Sequence, residues 1–428
     1  MTKPAVWNDD PECGHEVAYA YQTHYCAYIR VPRLLTLQQP ESSDELLLIT
    51  AHQWHELWFK VLLADLRAAL ADPSVSFAPA PAPTYEPVKL LKRGVELFKL
   101  FDQHADLAET VIVRELGLTR ALPAAAVSDQ FAQIGKLAQQ LERLEAMAYP
   151  GLAEAVREYR ARFESFCGRH QKFVAATLKA PPPRAEAGPG SGPVYEGWLR
   201  LPELLDLQQG VKSAWAEKGQ PPTAFWQPER ISADENMFII VHQCFEIWFK
   251  VLLDLIDRAI PALLNEAVAE ATRLMRRAVL IQRLLVTQIQ IPATMLPLDF
   301  LKFREQTKER DGKVLRTGLT PASGTESYQF REIEIACGLR DDPVFQKYLA
   351  GTDKLPIRLL TPRQRERLEE PTLPEAFRRA VQQRGLLSFD VLFTPADAPN
   401  PHADLAQLAD TLIEFDEFFR FWRLGHVS

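Results

Sequence analysis

Asp44 to Leu63 reads Asp-Glu-Leu-Leu-Leu-Ile-Thr-Ala-His-Gln-Trp-His-Glu-Leu-Trp-Phe-Lys-Val-Leu-Leu, and Asp234 to Leu253 reads Asp-Glu-Asn-Met-Phe-Ile-Ile-Val-His-Gln-Cys-Phe-Glu-Ile-Trp-Phe-Lys-Val-Leu-Leu. The blocks start 190 residues apart, a period far beyond the roughly 20–50 residues of a solenoid unit, so the chain reads as the duplication of a whole domain. A second echo, Tyr28 to Gln39 against Trp198 to Gln209, runs at an offset of 170. The difference between the offsets, 190 and 170, leaves 20 additional residues in the second half, the Gly- and Pro-containing stretch after Gly210 and up to Arg230.

Between the halves lies Lys179 to Pro193, a Pro/Gly/Ala stretch with the composition of a semi-extended linker. The boundaries are read as a first domain over 1–178, a linker over 179–194 and a second domain over 195–428. Apolar residues recur at helical spacing over Leu46 to Leu70, Val88 to Phe101, Phe131 to Met147, Leu152 to Phe173, Met237 to Ile260, Glu266 to Gln288, Glu375 to Gln383 and Leu405 to Leu424. Strand-like alternation is nearly absent, and prolines fall between these segments, where they end helices. The expected fold is all-α, built as two tandem helical-bundle halves.

The net charge of −7 and the lack of a basic stripe interleaved with aromatics exclude a nucleic-acid binder. Neither an N-terminal signal pattern nor a run of about 18 apolar residues is found, since His52, Glu56 and Lys60 interrupt the best stretch. The five scattered cysteines, Cys13, Cys26, Cys167, Cys244 and Cys337, fit a reducing compartment rather than a disulfide framework. The expectation is a cytoplasmic protein without membrane partners.

Three places carry candidate chemistry. His242 sits on an apolar helix with Phe238 one turn before it and Phe245 and Glu246 one turn after. A histidine on such a face is most often a satisfied core residue, but a buried neutral imidazole also serves beside a ligand or on a metal; spacing leaves both open. Phe415 to Ser428 is an aromatic helix running through Trp422 into His426. That pattern suits either a core-packing helix with a surface histidine or a large apolar cofactor whose metal an imidazole ligates. Finally, Phe300-Leu301-Lys302-Phe303-Arg304 puts an arginine in a Phe-rich helix, able to hold a carboxylate by paired hydrogen bonds or to make an ordinary salt bridge. A cluster of Cys13, His15, His24 and Cys26 matches no common zinc spacing.

In order along the chain, these pieces resemble the tryptophan 2,3-dioxygenase superfamily of histidine-ligated haem enzymes. Its pattern Asp-Glu-x-x-Phe-Ile-Ile-x-His-Gln-x-x-Glu-x-Trp-x-Lys is matched by Asp234 to Lys250, its aromatic-x-x-Phe-Arg helix by Phe300 to Arg304, its Pro-Ser-Ser-Gly loop by Pro321-Ala322-Ser323-Gly324, and its Trp-Arg-Phe-Arg-His ending by Trp422 to His426. The resemblance implies haem b with His426 as axial iron ligand and Trp422, Ser323 and Gly324 around the haem. It implies O2 as co-substrate and His242 as the catalytic distal histidine. Phe238, Phe300, Arg304 and Ser323 would bind a small aromatic amino acid, with Arg304 on its α-carboxylate. The implied reaction is insertion of O2 into the indole ring of L-tryptophan or a related substrate. The alternatives are a haem monooxygenase hydroxylating an aromatic amino acid, and a haem-binding relative that is not an enzyme.

The sequence departs from that pattern at several points. Phe300 stands where the family usually has tyrosine, and a polar segment from Glu305 to Arg316 is additional. The family's Gly/Thr/Ser-rich loop after the proximal histidine has only Val427 and Ser428 opposite it here, so a site without that loop in cis is expected. The first half resembles the same family as a degenerate copy: Leu48 replaces Phe238, Arg114 aligns with Arg304 but Thr110 replaces its aromatic, and Pro123 to Ala126 lacks the serine and glycine. Phe166-x-x-x-His170 echoes Trp422-x-x-x-His426, which makes His52 and His170 a candidate second haem pair. Family members are homotetramers in which a neighbour's N-terminal segment completes each pocket. The resemblance therefore implies that the fused copy replaces one neighbour, through an aromatic such as Tyr21 or Tyr25, and that the chain forms a homodimer mimicking a tetramer.

Overall fold

The computed structural model describes residues 22–23, 25–72, 85–111, 126–147, 150–178, 195–210, 231–304, 306–310, 313–319, 327–343, 345–346, 361–393 and 399–427. The first half contributes α1 (Tyr25–Ile29), α2 (Val31–Thr36), α3 (Ser43–Ala71), α4 (Tyr85–Val111), α5 (Ala126–Met147) and α6 (Pro150–Leu178). The second contributes α7 (Tyr195–Leu199), α8 (Leu201–Leu205), α9 (Ala233–Leu264), α10 (Val268–Gln288), α11 (Pro297–Arg304), α12 (Tyr328–Ala336), α13 (Pro362–Glu369), α14 (Leu373–Gln383) and α15 (Ala403–Val427). The linker, 179–194, lies outside the described residues.

The repeated block forms α3 and α9, which pack against each other. Both are started by the same device: Ser42 Oγ accepts from Glu45 N at 3.2 Å and Ser232 Oγ from Glu235 N at 3.0 Å, satisfying one of the unpaired amides of a first turn. Each is almost entirely buried, with Trp54, Trp58 and Trp248 among the largest fully enclosed side chains. The short helices before them are also alike. Arg30 (φ 60°) and Arg200 (φ 51°) both turn the chain in the left-handed region just ahead of a Pro-containing helix.

Hydrogen bonds then cross between the halves in matched pairs. Gln53 Nε2 donates to Leu199 O at 2.9 Å, and Gln243 Nε2 to Ile29 O at 3.0 Å. Lys60 Nζ donates to Leu205 O at 2.6 Å, and Lys250 Nζ to Leu35 O at 2.8 Å. Trp198 Nε1 reaches Glu45 at 3.0 Å, and Tyr28 Oη reaches Glu235 at 3.3 Å. Within each half, Gln38 donates to Gln53 at 2.6 Å and Gln208 to Gln243 at 2.5 Å. Residue i bonding j′ while i′ bonds j is how two related bodies meet about a two-fold axis. The repeat offsets of 170 and 190 are thus satisfied side chain by side chain.

Two sequence expectations are corrected. Pro261 lies inside α9, which continues to Leu264; the helix runs on past a residue that has no N–H for the carbonyl four residues back. The additional polar segment is not featureless: β2 (Gln306–Arg310) and β3 (Lys313–Leu319) form an antiparallel hairpin with Arg310 opposite Lys313. β1 (Gln22–Thr23) joins β3 in parallel, Gln22 opposite Gly318 and Thr23 opposite Leu319, so the helical body carries a three-stranded sheet in the order β1-β3-β2. Among the described residues no single helix is long and apolar enough to cross a membrane.

Candidate active site

Burial of the middle of α9 brings His242 into the core at 5% exposure. Its Nδ1 lies 2.7 Å from the Phe238 carbonyl oxygen. A carbonyl only accepts, so Nδ1 is the donor in this bond, which fixes the ring on the helix turn before it. The one-turn spacing that makes this bond also sets the Phe238 ring 4.4 Å from the imidazole. Phe238 in turn contacts Phe300 at 5.3 Å and Phe303 at 5.2 Å on α11. Arg304 ends α11, its guanidinium exposed and 5.4 Å from the Phe300 ring. One cluster therefore joins His242, Phe238, Phe300 and the arginine helix.

The first half closes that cluster. Tyr25 lies edge-on to His242 at 5.7 Å, and its hydroxyl donates to Glu246 Oε1 at 2.8 Å. Gln329 of α12 donates to the other oxygen of Glu246 at 2.7 Å and to its carbonyl at 2.8 Å. Tyr28 packs 6.3 Å from Phe238, and its phenol is pushed well above its usual range by burial and by the neighbouring Glu235, so it stays neutral. Tyr25, Tyr28, Ile29 and Val31 share a buried apolar cluster with Phe238, Ile239 and Phe303. Tyr25 was expected from sequence. Tyr28, Glu246 and Gln329 were not, although Tyr28 aligning with Trp198 and Glu246 with Glu56 was a visible sign that these positions matter in both copies.

Trp422 of α15 is buried between Phe245 at 5.5 Å, Phe249 at 5.4 Å and Phe330 at 4.5 Å. His426 follows one turn later, in the last turn of α15. The helix approaches α10 closely there, since a Cβ on Gly425 would stand 3.3 Å from Ile289. Ser323 and Gly324 lie outside the described residues, as do Tyr21, Cys13, His15 and His24; Cys26 is buried in α1. A cavity of about 620 Å³ lies elsewhere, between α14 and α15, and none of His242, Phe238, Phe300 or Arg304 lines it.

The equivalent place in the first half is filled differently. Phe166 takes the part of Trp422, contacting His55 at 6.5 Å and Phe59 at 5.9 Å, and His170 follows one turn later. His52 faces Trp198 at 5.6 Å. His104 stacks on Trp54 at 4.4 Å, buried, with neither ring nitrogen hydrogen-bonded. Burial and the neighbouring His170 push His52 down to about 3, burial and other histidines push His104 down to about 3, and burial pushes His170 down to about 4. All three are neutral at physiological pH. Four histidines converge, yet among the described residues no group of three His, Cys, Asp or Glu stands in an arrangement that would hold a metal ion.

Comparison with known proteins bears on the second half. The family model described as tryptophan 2,3-dioxygenase matches residues 183–385. Among similar proteins, the tryptophan 2,3-dioxygenase of Nocardioides sp. is 33% identical over 248 residues, 56% of this chain and 80% of the relative. That of Herpetosiphon aurantiacus is 29% identical over 250 residues, 55% of this chain and 83% of the relative. That of Bdellovibrio bacteriovorus is 36% identical over 151 residues, 34% of this chain and 35% of the relative. With most of a relative's length matched at such identity, the chain belongs to the tryptophan 2,3-dioxygenase family of haem-dependent oxidoreductases.

Proposed function

We propose that the second half is a haem-dependent oxygenase acting on the indole ring of L-tryptophan or a closely related aromatic amino acid. The observation that carries the reading is the hydrogen bond from His242 Nδ1 to Phe238 O, which holds a buried imidazole between the Phe238 and Tyr25 rings. The residues present fit a haem. The donor type is that of a haem-iron ligand, an imidazole at the end of an aromatic helix, one turn after a Trp422 buried among Phe245, Phe249 and Phe330. His426 would hold the haem iron, with Trp422, Ser323 and Gly324 as the other residues that would hold the group. When bound, the haem supplies the oxygen chemistry, and the protein supplies placement.

The chain's own residues have separable tasks in this reading. Phe238 and Phe300 form the aromatic wall for the indole, and Tyr25 and Tyr28 exclude water from the first-half side. Arg304, at the mouth of the cluster, takes the α-carboxylate by paired charge-assisted hydrogen bonds. His242 uses Nε2 to accept a hydrogen bond from the substrate, such as an indole N–H, because its Nδ1 proton is already committed. Glu246, held by Tyr25 and Gln329, fixes the helix turn just after His242 without itself reaching the substrate.

The domain division at 179–194 and a cytoplasmic location are parts of the same proposal. So is a homodimer of fused chains, in which each first half stands in for a neighbouring copy. The matched cross-half bonds support this, because they are the contacts an isologous interface would make. The test is to mix the reduced, haem-loaded protein with L-tryptophan and air. Formation of N-formylkynurenine supports the proposal. Hydroxylation of an aromatic amino acid would select the monooxygenase reading, which Phe300, a wall residue without a hydroxyl, favours. A haem-loaded protein that turns over no aromatic amino acid would make it a haem-binding relative.

A further inference from the structure

Lys89 of α4 belongs to the first half, yet it holds two helices of the second. It is 3% exposed, and its Nζ lies 2.8 Å from Asp234 Oδ2, 2.9 Å from Asp299 Oδ2 and 2.8 Å from Glu86 Oε2. One turn on, Arg93 is fully buried and bonds the other Asp234 oxygen at 2.7 Å and both oxygens of Asp65 at 2.9 and 3.1 Å. Asp234 stands in the first turn of α9, one turn before Phe238. Asp299 is on α11, next to Phe300 and five residues before Arg304.

The apolar hold on α11 is through Phe300 and Phe303, packed on Phe238. Phe303 is its one buried residue, while Leu298 is 73% exposed and Leu301 39%. Taking an ammonium and carboxylates out of water is costly, and well-packed apolar side chains would stabilise as much or more. What the ammonium adds is geometry: it donates three hydrogen bonds from a single point, two of them here to carboxylates on α9 and α11.

We propose that Lys89 is a positioning residue, which sets α11 against α9 and so places Phe300 and Arg304 relative to Phe238. The functional part rests on the reading of those residues as the substrate wall; the positional part does not. Lys89→Met should still fold, because each carboxylate keeps another partner or water: Asp234 keeps Arg93, Asp299 keeps Lys302 at 2.6 Å, and Glu86 is 42% exposed.

The test is hydrogen–deuterium exchange on the full chain, with Lys99→Met, an exposed lysine paired to Glu96, as control. In Lys89→Met, exchange over 297–304 should quicken about tenfold or more, the loss expected for a charged hydrogen bond, with α3 and α6 unchanged. Asp299→Asn, which still accepts from Lys89, should stay near wild type. L-tryptophan binding to Lys89→Met should weaken about tenfold by the same loss, appearing in KM more than kcat. Unchanged exchange over 297–304 overturns the proposal whatever the substrate. Quickened exchange in a protein whose wild type binds no tryptophan upholds the brace and sinks the substrate reading instead.

Discussion

The Tyr25 hydroxyl donates to Glu246 at 2.8 Å while its ring stands edge-on to His242, so a residue at the start of the first half is hydrogen-bonded to helix α9 of the second. The two belong to different copies of the repeat, 221 positions apart. The candidate site is therefore assembled across the duplication rather than inside one half.

Tyr25→Phe keeps the ring and removes that bond from the buried Glu246 carboxylate. Chemical denaturation should show a loss of about 1–3 kcal/mol, and L-tryptophan affinity should fall with it. A change within experimental error in both would mean that Tyr25 merely fills space.

The cross-half bonds of Lys60 and Lys250 are equivalent, so Lys60→Met and Lys250→Met should destabilise by similar amounts, about 1.5–3 kcal/mol each for hydrogen bonds from a charged donor. Both ammonium groups are pushed down to about 8 by burial, so their folded values lie below the unfolded one. Between those values the unfolded chain holds more protons, and stability should rise as pH rises through that window. A severalfold difference between the two variants would break the two-fold description.

The first-half histidines predict acid lability. His52, His104 and His170 have folded values of about 3 to 4, below the unfolded value of about 6.5. The unfolded chain therefore takes up protons that the folded chain refuses, and stability falls as pH falls from about 6.5 toward 4. His104 alone should account for about 1.4 kcal/mol per pH unit in that window. His104→Phe, which preserves the stack on Trp54, should flatten the slope by one proton; an unaltered slope would remove His104 from the account.

Two glycines should respond oppositely to alanine. A Cβ at Gly94 would run into Cε2 of Tyr159, a fully buried ring, so Gly94→Ala should cost about 1–3 kcal/mol by overpacking. Gly135 on α5 has open space where a Cβ would go and is exposed. Gly135→Ala should stabilise by about 0.5–1 kcal/mol through helix propensity. Thermal unfolding of the pair checks both signs at once.

Much of this architecture was legible in the repeat itself. The periodicity placed α3, α9, α10 and α15 within a few residues, because long amphipathic or wholly apolar helices leave a clear pattern, which in α3 and α9 begins at a capping serine. It failed at β2 and β3, whose residues are mostly polar and alternate weakly; the pair Asp311-Gly312 between them, a favoured hairpin turn sequence, was the signal available. Of the site, His242, Phe238, Phe300 and Trp422 followed from spacing and resemblance. Tyr28, Glu246 and Lys89 did not, because each acts through a partner roughly 80 to 210 positions away, and contacts at that range leave no local period to read.

The central claim is that the iron-binding chemistry belongs to the second copy, and one comparison tests it: haem content and Soret absorbance of the wild type, His426→Ala and His170→Ala after identical haem loading. The account predicts a haem band for wild type and His170→Ala and its loss or marked shift in His426→Ala. A spectrum unchanged in His426→Ala but abolished in His170→Ala would contradict it and move the chemistry to the first half.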